Sequence, residues 1–274
     1  MQESWDIGFI SENDFNEHVS NTIRAYCANV EDCDLALFNS NTIDPIKLLL
    51  DKSIYGKSWE GIVADEIYRQ RDKGSNNAIG YFHQNIFSYF PNCTVPPQGW
   101  DVIYEDKSGI DVGGTTVARV YVEMKNKHNT MNSASAARTY KKMQDQILED
   151  DECACLLVEA IAKRSQDIIW EPSVDGSKKS HRLIRRVSMD RFYELVTGDA
   201  LGFYKVCKAL PAAIERAVAH IGGQTLPTDT AYEELESLGN SIDGEFASAL
   251  YALGFSSYAG FGEVSYDSVM LDEQ

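Results

Sequence analysis

Residues 95–127 read VPPQGWDVIYEDKSGIDVGGTTVARVYVEMKNK, and this stretch decides the fold. Val120, Val122 and Met124 alternate with Tyr121, Glu123 and Lys125, the period of a half-buried strand whose successive side chains point to opposite faces. Glu123 and Lys125 therefore share a face. Upstream, Asp101 precedes the apolar run of Val102 and Ile103, and turn signals follow at Lys107-Ser108-Gly109 and at Gly113-Gly114. The chain is thus expected to double back, bringing Asp101, 22 positions before Glu123, onto the adjacent strand. Two carboxylates and an amine would meet at the ends of two neighbouring strands.

Hydrolysis of a phosphodiester by water requires a hard cation that polarises the phosphoryl oxygens and lowers the pKa of the attacking water. Asp101 and Glu123 supply oxygen ligands of the kind such a cation takes. An ammonium such as Lys125 can orient the water and offset charge building on phosphorus. The set therefore reads as a metal-dependent nuclease. As a bare spacing it is weak, because an acidic chain offers chance matches and a surface strand of alternating charge has the same pattern. Each carboxylate, however, stands at the edge of an apolar run, and the Glu-x-Lys strand leads into a polar segment and a helix.

The phrases GWDV (99–102), VEMKNKHNTMNS (122–133) and MDRFYELVTG (189–198) resemble those of the PD-(D/E)xK type II restriction endonucleases. The likeness is to the SinI-like branch, which cleaves GGNCC or GGWCC and shares NTIDPIKLLLD (41–51), EIYRQRDKGSNNAIGYFHQNIF (66–87), VEMKNKHNTMNS and FYELVTG in the same order. It spans about residues 35–215. One departure is that the proline of the motif is Trp100 here; proline shapes the strand entry and ligates nothing. The resemblance implies an α/β (α+β) PD-(D/E)xK core, a mixed central sheet flanked by helices, with a helical C-terminal extension. It also implies Mg2+-dependent cleavage of double-stranded DNA by a homodimer, leaving 5′-phosphate ends and 5′ overhangs. A cognate methyltransferase would belong to the same system without being a physical partner.

Residues 58–90 read as helical, with Ser58 placed to cap and Trp59, Ile62, Val63 and Ile67 forming an apolar stripe. Glu66 falls inside that stripe, where a carboxylate is costly to bury unless paired or bound to metal. Because many enzymes of the resembling family add an upstream helical Glu to the site, Glu66 is the expected third acidic ligand, with Glu60 the alternative. A salt bridge from Glu66 to Arg69 or Lys73 is the competing reading. Residues 132–150 read as a helix opened by Asn132 or Ser133, and CACLLVEAIAK (153–163) as a buried strand. The order α-β-β-α-β matches the family core.

Between strand and helix lies the run Asn126, Lys127, His128, Asn129, Thr130, Met131, Asn132, Ser133, dense in side chains that bond bases and phosphates. Under the resemblance it faces DNA, although an ordinary loop would also be polar. His128 can ligate metal or act as a base, but beside an Asp/Glu/Lys set it more often positions a phosphate; no second His stands at HNH spacing. Ile168–Trp170 and Leu183–Val187 read as strands joined by a loop containing VDGSKKS, with Ser188 capping a helix that Gly198 closes. Lys179, Arg182 and Arg185 make this hairpin a second candidate DNA contact, in the groove or on the backbone.

The chain of 274 residues, 43% hydrophobic, is read as one nuclease domain over 1–274, its core 35–215 followed by an acidic extension 216–274. No apolar stretch approaches the ~20 residues that span a bilayer, and Met1–Ile10 lacks a basic leader. A soluble, cytoplasmic protein with no membrane partner is expected. The six cysteines show no C-x2-C pair, which excludes the usual zinc spacing and points to free thiols. A net charge of −17 argues against a polyanion partner until its distribution is considered. From Arg119 to Arg191 there are 14 Lys/Arg against 11 Asp/Glu, whereas beyond Arg216 there are ten acidic residues and no Lys or Arg. DNA binding needs a local cationic surface rather than a basic chain.

Three rival readings stay open. A repair or recombination endonuclease of the same fold would cut by structure rather than sequence. A DNA-binding module that has lost catalysis, or an acidic scaffold, has no need of Asp101, Glu123 and Lys125 together.

Overall fold

The computed structural model describes residues 5–28, 30, 32–128, 130–221 and 227–255. In chain order the elements are α1 (Glu12–Cys27), α2 (Leu35–Ser40), α3 (Pro45–Tyr55), α4 (Trp59–Asn85), β1 (Cys93–Thr94), β2 (Val102–Val112), β3 (Thr115–Lys127), α5 (Ser133–Glu149) and β4 (Cys153–Ile161). There follow β5 (Asp167–Ile169), β6 (Ser173–Val174), β7 (Ser177–Lys178), β8 (Ile184–Ser188), α6 (Met189–Thr197), α7 (Gly202–Ile221), α8 (Ala231–Ile242) and α9 (Phe246–Gly254). They divide into two compact units, one drawn from residues 1–24 and 77–223, the other from 25–76 and 224–274.

The first unit is built on a mixed sheet of order β1-β2-β3-β4-β8-β5. β3, β4 and β8 run parallel at its centre, while β1, β2 and β5 pair antiparallel towards the edges. β4 is buried from Cys153 to Ala160, as a central parallel strand must be when both of its faces are covered. On one face Val120, Val122 and Met124 join Leu156, Val158, Phe87, Phe192 and Tyr193 in the larger core. On the other, Cys153, Cys155 and Leu157 pack under Tyr140 and Met143 of α5 with Trp100, Trp170 and Ile184. All six cysteines are unpaired, and the thiols of Cys153 and Cys155 are fully buried.

β2 and β3 are joined at Gly113-Gly114, both with positive φ, as expected. Lys107-Ser108-Gly109 is not the turn expected there. β2 runs through it with a bulge, its register against β3 shifting between Glu105 and Ile110. Asp106 Oδ1 accepts the Ser108 amide at 2.8 Å, and Gly109 sits at φ +96°, where a Cβ would stand 2.5 Å from Thr116 Cγ2. Ser188 occupies the position before α6 but makes no capping bond; its hydroxyl is engaged with Gln166 and Asp190 instead. Gly198 closes α6 in the left-handed conformation, as expected.

The excursion between β5 and β8 contains its own hairpin, β6–β7, turned at Asp175 (φ +51°) and Gly176 (φ +78°). Positive φ at both positions is the type I′ geometry that Asp-Gly favours. Lys141 of α5 reaches the turn at Asp175, 2.9 Å away.

In the second unit the stripe Ile62, Val63 and Ile67 of α4 packs with Leu35, Phe38, Leu48, Leu235 and Leu250. Ser58 caps α4 by accepting the Gly61 amide at 3.1 Å. The acidic tail is helical over α8 and α9, which belong to this core; residues 256–274 lie outside the described residues. Among the described residues no helix is long and apolar enough to cross a membrane.

Candidate active site

The pairing of Val102 with Val122, carried one step further, puts Asp101 opposite Glu123 on the face that α5 covers. Asp101 donates its amide to Val122 O at 3.0 Å, and its Oδ2 accepts the Met124 amide at 2.6 Å. That second bond pins the carboxylate to β3. Among the described residues Oδ1 has no hydrogen-bond partner. Glu123 is clamped by two ammonium groups, Lys125 Nζ to Oε1 and Lys142 Nζ to Oε2, each at 2.8 Å.

Like charges facing each other across a ladder are unfavourable unless cations intervene, and the two carboxylates respond in opposite ways. Burial pushes Asp101 above the ordinary carboxylate range; the Met124 amide opposes this, and the charge of Glu123 adds to it. Burial also pushes Glu123 upward, but its bonds to Lys125 and Lys142 outweigh that and hold it below the usual range. The result is an unequal carboxylate pair in a cationic setting. Among the described residues no group of three or more His, Cys, Asp or Glu side chains converges on one point, so the local protein donors for a hard cation are these two carboxylates. Their oxygens, one of them free on Asp101, are the donor type such an ion takes.

Lys142 has no counterpart in the sequence-based expectations. It projects from α5 and also contacts Gly99 O and the Trp100 ring, its Nζ 4.0 Å from the ring centroid. Trp100 is fixed in turn by its Nε1, which donates to Gln146 Oε1 at 3.0 Å. A Lys one helix after the Glu-x-Lys strand was the available signal, but nothing local distinguishes it from a solvated Lys.

A second polar cluster shares this face. In the parallel register Glu159 stands beside Lys125 and Arg186 beside Leu157. Glu159 is 1% exposed and pairs with Arg186 and with His128 Nδ1, the latter at 3.2 Å. Arg186 also donates to the His128 carbonyl at 3.1 Å, so the ring and the start of the 126–133 loop are held from below. Glu159 did carry a signal, a carboxylate inside the apolar run CACLLVEAI.

The structure brings Asp101, Glu123 and Lys125 together. Glu66 belongs to the second unit, is 5% exposed, and bonds Arg69 through both oxygens, at 2.7 and 2.5 Å, and Gln70 at 3.1 Å. Of the two bases considered, its partner is therefore Arg69; burial raises its pKa, but these bonds prevail and leave it lowered. Glu60 is exposed in the first turn of the same helix.

Of the candidate DNA contacts, Lys127 is exposed on the face of Lys125, while alternation puts Asn126 on the opposite face with a buried Oδ1 that has no partner among the described residues. Asn129 lies outside the described residues. Thr130 Oγ1 donates to Lys127 O, and Asn132 Oδ1 caps α5 by accepting the Ser135 amide at 2.8 Å. Ser133 is exposed in the first turn of α5. Lys179 and Arg182 are exposed. Arg185 has a side chain only 12% exposed and is held by Asp167 at 2.5 Å; it is Arg186 that shares the face of Glu123.

Comparison with known proteins adds an independent line. Residues 7–219 match the family described as Eco47II restriction endonuclease. The chain is 27% identical to the type II restriction enzyme Sau96I of Staphylococcus aureus over 76% of its own length and 80% of that protein. It is 28% identical to the type II restriction enzyme Eco47II of Escherichia coli over 79% of its own length and 90% of that protein.

Proposed function

Since this chain belongs to the Eco47II restriction endonuclease family, we propose that it is a type II site-specific deoxyribonuclease cutting both strands of GGNCC or GGWCC sites with Mg2+. The observation that carries the reading is the carboxylate pair of Asp101 and Glu123, one pinned by a backbone amide and the other held between two ammonium groups. Two carboxylates facing each other across a ladder favour a cation between them, and a phosphodiester cleaved by water needs the cation that such a pair attracts.

In this reading Asp101 and Glu123 hold Mg2+, which when bound supplies Lewis acidity and a more acidic water. Lys125, tied to Glu123 Oε1, orients the attacking water and offers its charge to the phosphate as negative charge builds there. The nucleophilic oxygen enters as the bond to the 3′ oxygen breaks, leaving a 5′-phosphate end. His128, whose Nδ1 lies against the buried Glu159 and against Arg186, offers its other ring nitrogen to the DNA backbone. Lys127, Lys179 and Arg182 add phosphate contacts whose strength falls with salt. A palindromic target offers two equivalent strands, which a two-fold dimer cuts with one site each.

The test is digestion of a plasmid of known sequence with and without Mg2+, followed by run-off sequencing of the ends. Cuts at GGNCC or GGWCC with 5′ overhangs are expected. Ends at an unrelated motif would overturn the target, and cleavage undiminished by exhaustive chelation would overturn the role of the metal.

A further inference from the structure

Both oxygens of Glu123 are occupied by ammonium groups from this chain. Each oxygen keeps a second lone pair, but a divalent cation that takes Glu123 competes with two ammonium charges already beside it, and the two lysines are differently placed to yield. Among the described residues Lys125 has Glu123 as its hydrogen-bonding partner, so leaving it costs the half-buried ammonium that bond with no other in its place. Lys142 has two partners besides Glu123, the Gly99 carbonyl and the face of Trp100. Losing Glu123 leaves it with both. The indole that receives it is held on its other side by Gln146 at 3.0 Å and lies against Tyr121 at 5.4 Å between ring centroids. Trp100 stands where the motif of the resembling family has proline, a residue with no aromatic face to hold a cation.

We propose that Lys142 is a displaceable counter-ion of Glu123 that competes with the metal for the carboxylate and withdraws onto Gly99 and Trp100 when the metal enters. The inference rests on the reading of Asp101 and Glu123 as metal ligands. Lys142 is a positioning residue here: it sets the charge and orientation that Glu123 presents to the ion. The design neutralises a half-buried carboxylate while no metal is bound and makes metal affinity depend on where one lysine rests.

The experiment is a Mn2+ titration of the full-length protein without DNA, read from the paramagnetic resonance of the free ion, since Mn2+ takes the same oxygen ligands. Lys142→Met should bind Mn2+ more tightly, by up to about fivefold, the scale of losing a competing half-exposed ion pair. Trp100→Leu, which removes the seat but not the competitor, should bind more weakly. A general loss of structure would weaken both variants, so the opposite signs separate this role from a merely structural one. A folded Lys142→Met with unchanged or weaker affinity overturns the proposal; Lys142→Gln, which keeps part of the stem over Trp100, is read by the same criterion if the Met variant does not fold. Glu123→Ala separates the two levels. Wild-type Mn2+ affinity in that variant removes the metal reading itself, whereas its loss alongside an unaltered Lys142→Met removes only the competition.

Discussion

At the scale of single residues, the site sets two costly carboxylates against each other and lets lysines make the arrangement tolerable. Function and stability should therefore separate. Asp101→Ala, Glu123→Ala and Lys125→Ala are each expected to lower plasmid cleavage by at least about a hundredfold, while thermal unfolding stays near that of the parent in Asp101→Ala, which relieves the facing charge, and falls slightly in Lys125→Ala, which takes a cation from Glu123. Near-parental cutting by any one of them would refute the role given to that residue. These three were legible because a two-residue period assigns faces by arithmetic. Lys142 and Arg186 were not, since each acquires meaning only from a partner distant in sequence: Lys142 meets a residue 19 positions away and Arg186 one 27 away. Arg185 and Arg186 illustrate the limit. Both are cations in one short strand, and only pairing with β4 decides which of them faces Glu123.

At the scale of elements, α5 depends on Asn132, whose carboxamide caps the helix from within the segment expected to touch DNA. Asn132→Ala should cost about 1 kcal/mol of stability, visible as a lower urea midpoint, whereas Asn132→Ser should restore most of it. If Asn132 also contacts DNA, affinity will stay low in the Ser variant; recovery of both together would assign the residue to capping alone. Helices and central strands were readable here because their periodicity is local, as the stripe of α4 and the apolar run of β4 show. The bulge in β2 was not. Lys107-Ser108-Gly109 has the composition of a turn, and the pairing of its flanks with β3 overrides that local preference.

At the scale of the whole molecule, acid sensitivity follows from His18, which is 4% exposed. Burial lowers its pKa from 6.5 to about 4, partly opposed by its bond to the Phe82 carbonyl. A depressed value means that the unfolded chain takes up a proton the folded one refuses. Stability from this source is intact above pH 6.5 and is withdrawn as pH falls through the window towards 4, by up to about 1.4 kcal/mol per unit. Urea midpoints at pH 7.5, 6 and 5 should therefore fall more steeply for the parent than for His18→Phe; parallel curves would exclude His18 as the cause. The net charge of the chain foretold none of this, because it averages a cationic middle with an acidic tail.

The central strand β4 carries a consequence of a different kind. Cys153 and Cys155 are sealed beneath α5 while Cys207 lies on the surface, so a thiol reagent reaches these three on two timescales. Cys207 should be alkylated at once, and Cys153 and Cys155 only as fast as α5 lifts or the unit unfolds. Mass spectrometry of labelled peptides over time would then act as a clock for the layer that holds the site together. Labelling that slowed on addition of Mg2+ or duplex would show that loading the carboxylate pair tightens the helix above it.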